Sequence, residues 1–573
     1  MIWIAFIIAV IIPILVVGFY RDRNEGILSV GLLFFISHIG ISCLLLLFKS
    51  LYTIPLIIAH SVFWISVIIW RIKRGDSWQI PRIPPLLLLG MVIVGFVLYQ
   101  NHFNYSGMVS TINGPVEMKN FSSPYPFYSD EWVAAGYSDY IVEKQKFPLL
   151  NVFNGAPFFN LLSVFYVTLA GVLQLFSLGS ITGIPFVAIF FSLFILSTLY
   201  LFLRIHGVNQ YLSALGVVLL VFIPNAGNFP TLGVLIAFNM GLILFLLTGA
   251  SIIHGNKKLM MWYCFLTLAI YPPLVLLALP YIHALPTKNR KFVFAGIASI
   301  IAIVAAVTVY IDSDFFSNHV YKYFAEGFIR KFNVYTAIYP WIAVPFFLLP
   351  LSFLGLRNTY KENITWFWAS IYALFVWFLS LVFHCSFIIS SERAAFLGAI
   401  FLISLAVYFL NSKFNEKLSR IVFWLFIIVV VSIVLSGNIF KMNLYKYIPN
   451  RITENRSIRL GQKVSSNPPI NSYLTDDDLR IFVDISKKRF LSYPWKSLVL
   501  AVATDNIPLQ TKDSTISVRE LSYIDFQNAN CDEKKNLAVK HRIDYVYGQK
   551  IDCKGFTLVS NSSEGLLLYK YIN

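Results

Sequence analysis

Hydrophobic residues fill this chain in long continuous blocks from Met1 to about Asn438, separated by short polar stretches, and in shorter mixed runs thereafter. Blocks of roughly 17–25 residues are long enough, as helices, to cross the ~30 Å hydrocarbon core of a bilayer. Their unbroken apolar character, in place of alternation, excludes an outer-membrane barrel. Open sheets are excluded too, because lipid offers backbone amides no partners. The pattern predicts a polytopic α-helical membrane protein with spans near 3–20, 27–48, 52–70, 84–100, 182–203, 211–224, 232–253, 292–310, 341–356, 365–384, 394–411 and 421–438. Polar regions follow at 101–160, at 311–340 and from about 439. The expected division is a membrane module over 1–438 and a soluble domain over 439–573.

Only 13% of the 573 residues are charged, against roughly 25% in soluble proteins. The net charge of +17 does not point to nucleic acid, since many basic residues sit in short clusters between apolar blocks, as membrane topology demands. The clusters are Arg21-Asp22-Arg23, Arg71-Ile72-Lys73-Arg74, Arg204 to Gln210, Lys257-Lys258, Lys288 to Lys291, Arg357 to Lys361 and Lys413 to Arg420. Placing all of them in the cytoplasm leaves both termini, the two polar loops and the tail outside. Between Lys258 and Lys288 the chain must go out and back, and Tyr271-Pro272-Pro273 is the natural break of a short helical hairpin. Residues 155–177 are apolar enough to span, but a full crossing would turn every later basic cluster outward. They are expected to lie in, or dip into, the outer interface. The N-terminus has no basic leader or small-residue cleavage site, and is expected to be a retained span.

The tail predicts a small α/β domain. Thr475 caps a helix with Asp476, Asp477 and Asp478 in its first turn, and Asn528 to Arg542 reads as a second helix. Ser497 to Thr504, Ile543 to Gly548, Phe556 to Ser560 and Leu566 to Ile572 read as strands. Cys43, Cys264 and Cys385 lie in or beside spans and act as small apolar fillers. Cys531 and Cys553, both in the tail, form the one plausible pair, and spacing leaves open whether they are bonded.

Acidic residues beside a bilayer need a reason, and Tyr128-Ser129-Asp130-Glu131-Trp132 opens the first external loop's helical segment. A helix N-terminus capped by Ser129 accounts for the acids by itself. Beyond it, Val133, Tyr137, Tyr140 and Ile141 share one face, with Asp139, Glu143, Lys144 and Lys146 on the rest. That spacing predicts a helix along the membrane surface, holding Asp130 at the depth of a lipid phosphate. Ser391-Glu392-Arg393 lies at the outer mouth of its span. There Arg393 suits bidentate phosphate binding with Glu392 orienting it; alternatively it anchors headgroups. The 311–340 loop adds Lys322 and Arg330 as phosphate or headgroup ligands, and Asp312-Ser313-Asp314 as metal ligands or a solvated helix end. Tyr128, Tyr271 and His384 are candidates to line the cavity.

An acidic residue in the first large external loop, a helix ending in Glu143-Lys144-Gln145-Lys146-Phe147-Pro148, and the following Asn151 to Pro157 resemble the GT-C glycosyltransferases. Protein O-mannosyltransferases and lipid A aminoarabinose transferases belong to that superfamily. The tail strings His541-Arg542-Ile543-Asp544-Tyr545-Val546-Tyr547 and Gly565-Leu566-Leu567-Leu568-Tyr569-Lys570 resemble the ends of bacterial members. This chain departs from the pattern with four spans before the acidic loop, where one is usual. It also has Asn154-Gly155-Ala156-Pro157 where many members show His-Pro-Pro. The resemblance implies an inverting sugar transfer from a polyprenyl-phosphate donor to a glycan, lipid or protein acceptor outside the bacterial inner membrane. It implies Asp130 as the base, Glu131 beside it, and cations that stabilise the leaving phosphate. A divalent metal (Mg, Mn or Zn) on Asp130, Glu131, Asp312 or Asp314 is the other role for these acids. No glycine-rich nucleotide loop follows a strand, in keeping with a lipid donor. The competing classes are a lipid-linked oligosaccharide flippase or other transporter, a glycan polymerase, and a non-catalytic scaffold.

Overall fold

The computed structural model describes residues 1–282 apart from 82, 104, 112–113, 122–123, 127, 156–159 and 224–231; isolated positions between 290 and 306; residues 348–382, 389 and 391–435; and residues 474–572 apart from 512–517, 519 and 563–564. It is mostly helical. The first helices are α1 (Ile2–Val17), α2 (Arg23–Leu47), α3 (Thr53–Lys73) and α4 (Pro85–Phe103), followed by an antiparallel hairpin of β1 (Tyr105–Thr111) and β2 (Gly114–Phe121). Then come α5 (Ser129–Lys144), α6 (Ser163–Leu175), α7 (Ser180–Ile205), α8 (Gln210–Leu219), α9 (Ala237–Ile253) and α10 (Lys257–Ile270). After Tyr271 follow α11 (Pro273–Leu277), α12 (Leu279–Ile282), α13 (Leu348–Glu362), α14 (Ile364–Val382), α15 (Ser391–Lys413) and α16 (Glu416–Leu435). Among the described residues, four helices are long and apolar enough to cross a membrane: Arg23–Leu47, Thr53–Lys73, Ser180–Ile205 and Arg393–Lys413.

Polar contacts sort the ends of these helices. Asp22 caps α2, accepting from the amide of Asn24 at 2.8 Å, and its other oxygen lies 3.6 Å from His254, just before α10. Arg71 donates to the carbonyl of Phe19 at 2.9 Å and pairs with Asp76 at 3.0 Å. Asn209 caps α8 and donates to both Asn411 and Ser419 at 2.9 Å. Asn358 donates to Ser412 at 2.9 Å, and Arg23 and Arg204 lie within electrostatic reach. Together these contacts gather the clusters at 21–23, 71–74, 204–210, 257–258, 357–361 and 413–420 at one end of the helices. At the opposite end Gln145 clasps the α2–α3 turn, accepting from the amide of Leu51 at 2.9 Å and donating to its carbonyl at 3.3 Å.

Helix α6 also belongs to that second end. Thirteen residues at ~1.5 Å each fall short of a bilayer. The Thr53 hydroxyl donates to the carbonyl of Gln174 at 2.8 Å, tying the far end of α6 to the start of α3. At Ser163 its near end meets Pro148, at 3.5 Å. A Cβ at Gly171 would fall on the Ser42 hydroxyl, 2.0 Å away. Only glycine lets the two helices approach so closely. The two ends of α6 thus meet Pro148 and the start of α3.

One expectation is corrected here. Helix α5 is not the helix with one apolar face and a polar remainder that its spacing predicts. Ser129, Glu131, Trp132, Val133, Ala134, Ala135, Tyr137, Ser138 and Ile141 are all buried, on more than one face. The helix is covered by α6 and α7 on one side and by a helix of the C-terminal domain on the other.

That domain is α/β, with a five-stranded mixed sheet in which the order is Ile507–Pro508, Arg489–Ser492, Tyr545–Gly548, Leu567–Tyr571 and Phe556–Asn561. Its elements are α17 (Asp476–Phe482), β3 (Arg489–Ser492), α18 (Pro494–Thr504), β4 (Ile507–Pro508), α19 (Tyr523–Asn528), α20 (Cys531–His541), β5 (Tyr545–Gly548), β6 (Phe556–Asn561) and β7 (Leu567–Tyr571). The last three strands match the expected ones to within two residues, and Thr475 caps α17 as expected. Residues 497–504 are helix, not strand. Pro494 at the first helical position favours helix initiation, and Leu498, Val499 and Leu500 are buried together. The apolar run alone does not separate a buried helix from a buried strand. Strands β3 and β4 were not expected. Cys531 and Cys553 are bonded, and α20 is capped by Asn530 with Glu533 in reciprocal contact.

Candidate functional site

Arg393 and Asp130 are brought together. Helix α15 starts at Ser391, so Arg393 sits in its first turn at the end of the helices away from the basic clusters. Asp130 sits in the first turn of α5. Arg393 Nη2 donates to Asp130 Oδ2 at 3.3 Å, and Arg393 Nη1 donates to the phenolic oxygen of Tyr271 at 2.8 Å. The Arg393 guanidinium carbon also lies 5.5 Å from the centre of the Tyr271 ring, within cation–π range. The side chains of Asp130 and Arg393 are 45% and 26% exposed. Both are thus open to a ligand while Tyr271, 4% exposed, is held fast.

The chain break at Tyr271 explains how that phenol is fixed. Helix α10 ends with the amide of Tyr271 on the carbonyl of Thr267 at 2.8 Å, and Pro272 and Pro273 then redirect the chain. Phe238 packs edge-on to the Tyr271 ring with centroids 5.8 Å apart. A Cβ on Gly241 would lie 2.8 Å from that of Tyr271, so α9 presses its bare backbone against the break.

Glu131 does different work from Asp130. It is 2% exposed. Its Oε1 accepts from the amide of Leu235 at 2.8 Å and its Oε2 from the amide of Tyr128 at 3.3 Å. One carboxylate thus caps α5 and ties down the chain entering α9. Ser129 is the first helical residue and not the cap, and its hydroxyl donates to Asp130 Oδ1 at 3.5 Å. Tyr128, the N-cap residue, is partly buried against the core. The Trp132 indole donates to the carbonyl of Pro126 at 3.0 Å, and His102 Nε2 meets the carbonyl of Tyr125 at 3.1 Å. Burial raises the Tyr125 phenol above its ordinary pKa, and the nearby charge of Asp476 adds to the effect. The C-terminal domain therefore reaches the chain entering α5.

Lower in α5, Asp139 accepts from the Ser180 hydroxyl at 2.7 Å. Burial raises its pKa to about 6 against the pull of that hydrogen bond, and Glu143 pushes the same way as burial.

Lys322, Arg330, Asp312, Asp314 and His384, and the side chain of Glu392, lie outside the described residues. Among the described residues no group of three or more His, Cys, Asp or Glu is placed to hold a metal ion. Among the described residues Glu131 accepts from two backbone amides, while Asp130 meets the guanidinium of Arg393. The arrangement can hold an anion on the guanidinium and accept a proton on the adjacent carboxylate.

Sequence inspection missed the parts that hold this site: Gly241 and Phe238 behind Tyr271, and the Leu235 amide that binds Glu131. A lone glycine in an apolar helix and a loop amide carry no distinguishing pattern. Compared with known proteins, the chain matches no protein-family model and no curated protein.

Proposed function

We propose that this chain is an integral membrane glycosyltransferase of the GT-C type, with a dozen or more spans in a bacterial inner membrane. It moves one sugar from a polyprenyl-phosphate carrier to an envelope glycan, lipid or protein on the outer face. The observation that carries the proposal is the Asp130–Arg393–Tyr271 constellation at the end of the helices opposite the basic clusters. Positive-inside sorting puts those clusters in the cytoplasm, and hence the constellation outside. A bonded Cys531–Cys553 pair in the tail favours the same side, since disulfides persist in oxidising compartments.

In the proposed reaction an acceptor hydroxyl oxygen attacks the anomeric carbon as the bond from that carbon to the phosphate oxygen breaks. Asp130 takes the hydroxyl proton. The polyprenyl phosphate departs as an anion that Arg393 stabilises, so no general acid is needed. Mg, Mn or Zn added to that phosphate would supply further charge, and a chelator titration tests for it.

Sugar transfer from a polyprenyl-phosphate donor, measured in membranes carrying Asp130→Asn or Arg393→Ala, tests the assignment. Removal of a general base is expected to lower the rate by ~10²–10⁴-fold, with both variants inserted at normal levels. Unchanged transfer rejects it. Labelling of single cysteines near residues 130 and 258 with an impermeant reagent tests the orientation, and reaction at 258 from outside overturns it. A flippase would instead move labelled donor across vesicles without transferring its sugar.

A further inference from the structure

We infer that the end of α3 and the segment that follows it form a binding site for an anionic phospholipid. Lys73, Arg74 and Arg21 take the headgroup phosphate, and an apolar stripe of α3 takes the acyl chains. The inference rests on the membrane setting proposed above and not on sugar transfer. Of the four helices long enough to cross a bilayer, α3 is the least covered by the rest of the chain. Ile54, Ile58, Val62, Ile65 and Ile69 are all exposed on it. Steps of three and four residues put them in one line along the helix. That line ends beside Trp70, also exposed, where the basic cluster begins.

The headgroup end is built, and is not a loose run of charge. Arg71 is buried and holds the fold: it donates to the Phe19 carbonyl at 2.9 Å, pairs with Asp76 at 3.0 Å and lies 3.7 Å from the centre of the Tyr20 ring. The Trp78 indole donates to the carbonyl of Leu15 at 2.9 Å, and the Gln79 amide to that of Gly18 at 2.9 Å. A Cβ on Gly18 would fall 2.1 Å from the Gln79 carbonyl oxygen, so the segment lies tight on the end of α1. Around this clasp Lys73, Arg74 and Arg21 are exposed, and none is in an ion pair among the described residues. Asp22, the acid next to Arg21, is turned to the α2 amides and to His254. The Arg74 guanidinium carbon lies 4.9 Å from the centre of the Trp70 ring. A guanidinium laid on a ring face keeps its N–H edge open to a phosphate. Trp70 and Trp78 suit the boundary between hydrocarbon and headgroups. Unmatched positive charge at the foot of an apolar line fits a lipid whose headgroup is net negative; a zwitterionic headgroup would bring a cation of its own to the same place.

Fluorescence quenching in vesicles holding the full-length chain tests this. The vesicles mix phosphatidylglycerol and phosphatidylcholine in fixed proportion, with bromine on the acyl chains of one lipid or of the other. The Trp70 signal is the difference between the wild-type chain and Trp70→Phe. Brominated phosphatidylglycerol is expected to quench it more, per molecule, than brominated phosphatidylcholine. A basic residue near such a surface contributes about fivefold in affinity. Lys73→Gln combined with Arg74→Gln should therefore lower the preference for phosphatidylglycerol by roughly 10–30-fold. Arg21→Gln, placed between α1 and α2, is a second variant with an expected loss of about fivefold. Arg357→Gln combined with Lys361→Gln, in another basic cluster at the same end, should leave the preference unchanged. Equal quenching by the two brominated lipids overturns the inference, and so does no loss in either the Lys73 and Arg74 variant or Arg21→Gln. An equal loss in the two double variants also overturns it, since attraction would then belong to the whole charged surface. A Trp70 signal that neither lipid quenches rejects the membrane setting and the inference with it. Preferential quenching without sugar transfer keeps the lipid site and rejects the enzyme.

Discussion

Gly136 in α5 and Val502 in α18 meet across the junction between the helices of the first part of the chain and the C-terminal domain. A Cβ built on Gly136 would lie 3.1 Å from Val502 Cγ2 and 3.3 Å from the Phe153 ring. The helix that carries Asp130 is therefore packed on one side by the C-terminal domain. Its contribution is positional: α5 has a fixed seat, so the first turn can hold Asp130 against Arg393.

Substituting Gly136 tests that seat. Alanine needs its neighbours to shift by a few tenths of an ångström and is expected to be mild. Leucine overpacks the junction at a cost of about 1–3 kcal/mol. Gly136→Leu should lower the thermal midpoint of the purified chain and reduce the proposed sugar transfer, with insertion unaffected; a leucine variant as stable as wild type would contradict the packing.

The C-terminal domain is braced by a buried charge pair. Lys496 donates to Asp478 Oδ2 at 2.6 Å and the Tyr547 hydroxyl to Asp478 Oδ1 at 2.8 Å, with Lys496 and Asp478 both buried. Lys496→Met leaves Asp478 charged and under-compensated, a loss of about 3–5 kcal/mol. Pairing it with Asp478→Asn should restore part of the stability, read as protease resistance of the tail in the intact chain.

Asp139 gives a pH signature. The unfolded carboxyl loses its proton near pH 3.8 and the folded one near about 6. Between those values the folded state holds more protons, so stability falls as pH rises, and the penalty is full and constant above about pH 6. Asp139→Asn removes it. The midpoint difference between Asp139→Asn and wild type should widen in the variant's favour from pH 4 to 6 and level off beyond.

The Cys531–Cys553 bond encloses a separation of 22 residues. Loop-closure entropy for such a length corresponds to about 3 kcal/mol. Reduction, or Cys531→Ser, should lower the midpoint of the tail by several degrees, and reduction should add two thiols to those titrated in the denatured, unreduced chain.

Much of the fold was legible from local signals. Thr475 before three aspartates marked a cap, the β-branched run at 543–548 marked a strand, and Tyr271-Pro272-Pro273 marked a break. The apolar stretch at 497–504 was misassigned because its period fits both structures and Pro494 decided between them. For the candidate site, Asp130, Tyr271 and Arg393 were each visible as unusual residues at helix ends. Glu131 looked equivalent to Asp130, since adjacent acids in a first turn differ only in direction. One turned inward to the Leu235 amide and the other outward to Arg393.

The sequence alone determined that most of this chain is helical and where its basic residues cluster, because a backbone in hydrocarbon has to satisfy its own hydrogen bonds and charge has to stay near water. Those constraints act on each segment separately. Pairing of Asp130 with Arg393, 263 residues apart, was decided only in the tertiary structure. Such a meeting depends on how α5, α10 and α15 pack, and on glycines that let backbones touch. No segment carries that information by itself.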